Sequence, residues 1–147
     1  MSKSDDMEHK LLLLLFNNTA YATVGDATGL RGSTTAGSFY VSLHTADPGE
    51  AGTPTTNEIT YTSYLRVAVA RSSGGWTVTS SSVSPTAAIT FPAGTGGSGT
   101  ATHFGISTDS IAGGTAVLLY TGTVTPNIVC GNGVTPQLTT ATAITED

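Results

Sequence analysis

Residues 39–58, FYVSLHTADPGEAGTPTTNE, decide how this chain is read. Phe39, Val41 and Leu43 alternate with Tyr40, Ser42 and His44, the period of a strand with one buried face and one outward face. Asp47-Pro48-Gly49 then stops it, because Asp bonds to its own backbone, Pro fixes φ and Gly accepts positive φ. A polar loop follows, from Asp47 to Asn57, with the look of a mobile segment. The stretch predicts β-structure and assembles no reaction centre.

The rest of the chain agrees with that reading. Of 147 residues only 10% are charged, far below the quarter usual in soluble domains. Thr, Ser and Gly take their place, and these suit pleated surfaces and turns. The expectation is a mainly β protein: a single antiparallel β-sandwich or jelly-roll-like domain over 38–147, preceded by an N-terminal helix and anchor (1–20) and a glycine-rich arm (21–37). A surface so poor in charge repels copies of itself weakly, which favours life packed against partners.

Asp5 to Asn18 is the one convincing helix, capped by Ser4 or Asp5 with acidic residues in its first turn. Its apolar run, Leu11 to Phe16, is far shorter than the roughly 20 residues that span a bilayer. The acidic start also argues against a secretory signal. Because the run is apolar on more than one face, the helix is expected to lie between its own domain and a neighbour. Strands are expected at Thr60–Arg71 (the longest), Trp76–Thr79, Ala87–Phe91, Thr102–Ser107, Ala116–Val124, a short piece at Asn127–Cys130, and Gln137–Ile144. A turn is expected at 109–114. The glycine-rich 92–99 reads as a flexible connection, because no Lys-Ser/Thr or helix follows to make a phosphate cradle.

The net charge is −5 and the five basic residues (Lys3, Lys10, Arg31, Arg66, Arg71) are scattered, against the clustering nucleic acid needs. Cys130 is single and reads as a small buried residue, with no metal-binding spacing around it. His44 and His103 fall at matching outward positions of two strands, so a metal or acid–base pair with Asp47 or Asp109 is conceivable. Two solvent- or interface-facing histidines are the plainer reading. Asp47 and Glu50 are too few for Ca²⁺. The aromatics are dispersed; Tyr40, Tyr61, Tyr64 and Trp76 are the candidates for a glycan platform, with core and interface packing the commoner use of such residues. No enzyme activity and no cofactor is expected.

The order of segments carries more than any one residue. Phe16-Asn17-Asn18-Thr19-Ala20-Tyr21 precedes Leu43-His44-Thr45-Ala46-Asp47-Pro48-Gly49, then Tyr64-Leu65-Arg66-Val67-Ala68-Val69, Phe91-Pro92 and Thr102-His103-Phe104-Gly105-Ile106. This succession resembles a family of small virion structural proteins of tailed bacteriophages. The resemblance implies a structural role: foremost a capsid decoration (cement) protein on the outer surface of the head, bridging subunits of the major capsid protein, as a homo-oligomer, in the first instance a homotrimer. The alternative it implies is a tail-associated fibre or adhesin module that binds host glycans. The expected partner contacts are Leu11, Leu12, Leu15, Phe16, Arg31, Asp47, Glu50 and Asn57, with no nucleic acid and no membrane involved.

Overall fold

The computed structural model describes residues 2–110 and 115–147. The last four residues of the turn expected at 109–114 lie outside the described residues. The fold is mainly β with one helix, as the composition predicts. The helix α1 spans Asp5–Asn17, and among the described residues nine strands follow: β1 (Ser38–His44), β2 (Val67–Ala70), β3 (Trp76–Thr79), β4 (Ser82–Pro85), β5 (Ile89–Thr90), β6 (Ser98–Ser107), β7 (Leu118–Gly131), β8 (Gln137–Leu138) and β9 (Ile144–Thr145). They form sheets ordered β2-β1-β6-β7, β3-β4-β9 and β5-β8. The registered pairs β1–β6, β6–β7, β3–β4, β4–β9 and β5–β8 are all antiparallel. Among the described residues no barrel closes.

The chain divides into two compact units that interleave in sequence. The first comprises Met1–Ser38, Val69–Ala87 and Thr140–Asp147. Here Ser4 caps α1, its hydroxyl accepting from the Met7 amide, and Asn18 ends it in a left-handed conformation whose N–H returns to the Leu13 carbonyl. One stripe of the helix, Glu8, Leu12 and Phe16, is buried at i, i+4, i+8. Phe16 meets Trp76 edge to face, ring centroids 4.9 Å apart, and Val83 and Ile144 are buried in the same unit. The other leucines of the run are only partly buried, so the helix has one committed face.

The last turn of α1 carries no basic residue of its own. Arg71 supplies the charge from elsewhere: its guanidinium donates to the carbonyls of Leu14 and Leu15, and also to that of Ala36. A cation at the negative end of the helix dipole satisfies carbonyls that the helix leaves open.

The second unit comprises Phe39–Ala68 and Ala88–Thr139. Its core includes Phe39, Val41, Leu43, Ile59, Phe91, Phe104 and Ile106. The inward half of the β1 alternation is as expected, but Ser42 and His44 are fully buried as well. Gly105 of the neighbouring strand β6 lies against both side chains, and the 45–57 loop folds back so that Thr56 meets His44. Thr60–Arg71 does not form one long strand; only Val67–Ala70 does. Ser63 takes φ +77°, which interrupts the extended run, and Tyr61 turns its hydroxyl to the Pro92 carbonyl.

The other strand boundaries shift for local reasons. β6 begins at Ser98, inside the glycine-rich stretch, because Gly99 lets Ile59 approach to 3.1 Å of where a Cβ would stand. β7 begins at Leu118, two residues later than the expected Ala116–Val124, and runs on through Asn127–Cys130, pairing with β6 on either side of an irregularity at Val124–Asn127. Gln137–Ile144 splits into β8 and β9, which join different sheets.

Candidate functional site

Three segments of the second unit, far apart in sequence, meet at the root of the 45–57 loop. Arg66 donates from Nε and Nη2 to the two carboxylate oxygens of Glu58, each at 2.7 Å, with both side chains largely buried. Nη2 donates also to the Pro54 carbonyl, and Nη1 to that of Asp109. The Tyr64 hydroxyl donates to Glu58 at 3.0 Å and accepts from the Leu43 amide. Burial and the neighbouring Glu58 carboxylate push the Tyr64 phenol far above its usual range, so it is a fixed hydroxyl. Arg66 is held even more firmly protonated by its bond to Glu58.

His44 closes the other side. Its Nδ1 donates to the Thr56 carbonyl at 2.8 Å, which leaves Nε2 to accept from the Ser42 hydroxyl, also 2.8 Å away. Burial lowers the His44 pKa, with the Thr56 carbonyl and the Glu58 charge pulling the other way, so the ring is neutral. A serine hydroxyl on a histidine nitrogen is the geometry of a nucleophile and its base. Ser42 and His44 are both 0% exposed, however, and the bond from His44 to Thr56 ties the loop to the strand. Gly105 makes the room: a Cβ there would stand 2.7 Å from His44 Nε2 and 2.8 Å from Ser42 Oγ. His103 does pair across from His44, as the strand positions predict, but it is only partly buried and bonds to Thr102.

So anchored, the loop is not the free segment its composition indicates. Thr45 donates to the Asn57 carbonyl, and the Asn57 amide donates to that of Asp47. The Gly49 amide donates to the Asp47 carboxylate in a tight turn. That turn, 47–52, faces residues 118–121 of the edge strand β7 across a groove of about 260 Å³, with Asp47 and Glu50 on one wall and Leu118, Leu119 and Tyr120 on the other. In the first unit a shallower hollow of about 540 Å³ lies between the start of α1 (Asp5, Asp6, His9) and Ser80–Ser81. Among the described residues no group of three or more His, Cys, Asp or Glu is placed to hold a metal.

The expected contact residues separate by exposure. Leu12 and Phe16 are fully buried in their own core, and Leu11 and Leu15 partly so. Arg31, Asp47, Glu50 and Asn57 are exposed. Of the four candidate platform aromatics, Tyr61 and Tyr64 meet edge to face within the second unit, ring centroids 5.4 Å apart. Tyr61 and Trp76 are each 2% exposed, Trp76 belongs to the other unit, and the Tyr64 hydroxyl is engaged by Glu58 and Leu43. Tyr40, on β1, is half-buried. Sequence reasoning missed Arg66, Glu58 and Arg71 as organising residues. A Tyr and an Arg two apart in an extended run, with one Glu upstream, were the available signal.

Compared with known proteins, residues 2–144 match the model of a family described as podophage GP4 fiber I protein gp80. None of the curated proteins matches the chain.

Proposed function

The chain belongs to the podophage GP4 fiber I protein gp80 family, and from that membership we propose that it is a structural subunit of the phage fibre apparatus at the tail. It works by non-covalent assembly and carries out no reaction. The observation that carries this is the extent of the match, which takes in residues 2–144 and so both compact units. The geometry supports it. The polar side chains best suited to chemistry, Ser42, His44, Glu58 and Arg66, are buried and bonded to one another or to the backbone of the 45–57 loop. What the second unit offers outward is a braced turn beside a sheet edge, a device for contact. Fully engaged buried polar networks rigidify a fold and fix a loop's position.

Gold-labelled antibody against this chain on intact particles, or density assigned by cryo-EM, tests the placement. Label at the tail supports the fibre reading. Label spread over the head overturns it in favour of the decoration of the capsid, with the major capsid protein as partner.

A further inference from the structure

Of the five basic side chains, four are engaged: Lys3 by Glu146, Lys10 by Asp6, Arg66 by Glu58 and Arg71 by the end of α1. Among the described residues Arg31 has no hydrogen-bond or ion-pair partner, and its side chain is exposed. Its neighbour Leu30 is one of few large apolar residues at the surface, 44% exposed. The backbone beneath them is nonetheless fixed. Tyr21 and Leu30 exchange both backbone hydrogen bonds, and Asn18 holds Ser33 with two more, one in each direction. Gly32 permits this, since a Cβ there would stand 2.3 Å from the Asn18 carbonyl oxygen. The arm therefore presents an apolar residue and a cation side by side from a braced corner.

The groove beside 118–121 is its chemical complement. Glu50 has no partner among the described residues, and Asp47 uses one oxygen on the Gly49 amide. Leu118 and Leu119 give an apolar wall opposite them. At about 260 Å³ the groove falls below the roughly 300–1,000 Å³ of small-molecule pockets and suits a side chain or two. We infer that this groove receives the 30–31 corner of a second copy of the chain, with Leu30 against Leu118 and Leu119 and the Arg31 guanidinium on Glu50 and Asp47. Both surfaces are set by their own hydrogen bonds before they meet, which reduces the ordering cost of association. The contact joins different patches on the two copies, so it closes into a ring, such as a trimer, or propagates. It holds wherever on the particle the chain sits.

Sedimentation velocity on the purified chain, from about micromolar to about millimolar, tests it. The expected result is reversible association that weakens with added salt. Arg31→Glu and Glu50→Lys each weaken it about tenfold or more, and the double variant recovers a large part of the loss. Arg31→Ala gives a smaller loss, and circular dichroism checks that each variant folds. A wild-type chain that stays monomeric throughout overturns the inference, as does an arm that folds onto its own groove, which leaves no concentration dependence. So does Arg31→Glu associating as tightly as wild type, or a double variant as weak as either single one.

Discussion

Arg66 and Glu58 form a two-pronged ion pair, 2.7 Å on each prong, at the root of the loop that carries Asp47 and Glu50. A flat guanidinium matches a carboxylate in this way and a lysine ammonium does not. Breaking a buried pair from one side leaves a charge without a partner, at a cost of about 3–5 kcal/mol. Glu58→Gln is expected to lower the free energy of unfolding by an amount in that range, read by chemical denaturation. Arg66→Lys should lose much of the same stability although it keeps the charge. Equal stability of Arg66→Lys and wild type would show that the pair's geometry does not matter.

The His44 ring gives stability a pH dependence whose sign is fixed. Burial lowers its pKa below the ordinary 6.5, so near and below that value the unfolded chain takes up a proton that the folded chain refuses. Stability from this site is complete above the unfolded value and is lost as pH falls through 6.5 toward the depressed folded one. Denaturation midpoints measured from about pH 7.5 to about pH 5 should therefore fall more steeply for wild type than for His44→Gln. Parallel profiles would remove His44 as the source.

Gly105 stands where any side chain would enter the Ser42–His44 bond. Gly105→Ala has to displace one partner, and overpacking of this kind costs about 1–3 kcal/mol. The His44 Nδ1 proton should at the same time exchange faster with solvent in NMR, because its hold on Thr56 loosens. A variant of wild-type stability and exchange would show that the pocket can relax.

Trp76 is buried against Phe16, yet its indole N–H has no hydrogen-bond partner among the described residues. Trp76→Ala removes the ring and should cost about 3–5 kcal/mol. Trp76→Phe removes the orphan donor as well as some packing, so its cost should be well under half of that. If the two variants are equally unstable, the N–H is bonded in solution.

What the sequence shows plainly here is whatever depends on near neighbours. Ser4, the acidic first turn and Asn18 mark α1 to within a residue, and the alternation of Phe39, Val41 and Leu43 marks β1, because both are local stereochemistry. The break at Ser63 is not legible, since a serine at positive φ carries no glycine signal and is held there by tertiary packing. The engagement of His44 depends on a loop that folds back from more than ten residues away, and that of Ser42 on Gly105 in another strand. Period alone places both outside. The groove between the 47–52 turn and 118–121 joins segments some seventy residues apart, and only the sheet order β2-β1-β6-β7 brings them together.

Arg71 is the final case, because its effect is confined to one end of one helix. Its guanidinium bonds to Leu14, Leu15 and Ala36, while α1 itself has no cation in its last turn. Removing it exposes carbonyls to a poorer environment and takes positive charge from the negative helix end. Hydrogen bonds to a charged group contribute about 1.5–3 kcal/mol and a helix-terminal charge about 0.3–1 kcal/mol. Arg71→Met keeps the length of the side chain and most of its apolar contact, so the loss it causes belongs to the charge and its bonds. We expect an overall destabilisation of about 2 kcal/mol, with hydrogen exchange rising first in the last turn of α1 around Leu14–Asn17 and in the 33–37 segment. Protection at the start of α1, where Ser4 and the acidic residues act, should persist until global unfolding. Uniform loss of protection along the whole helix would mean that Arg71 stabilises the unit as a body and is not a cap.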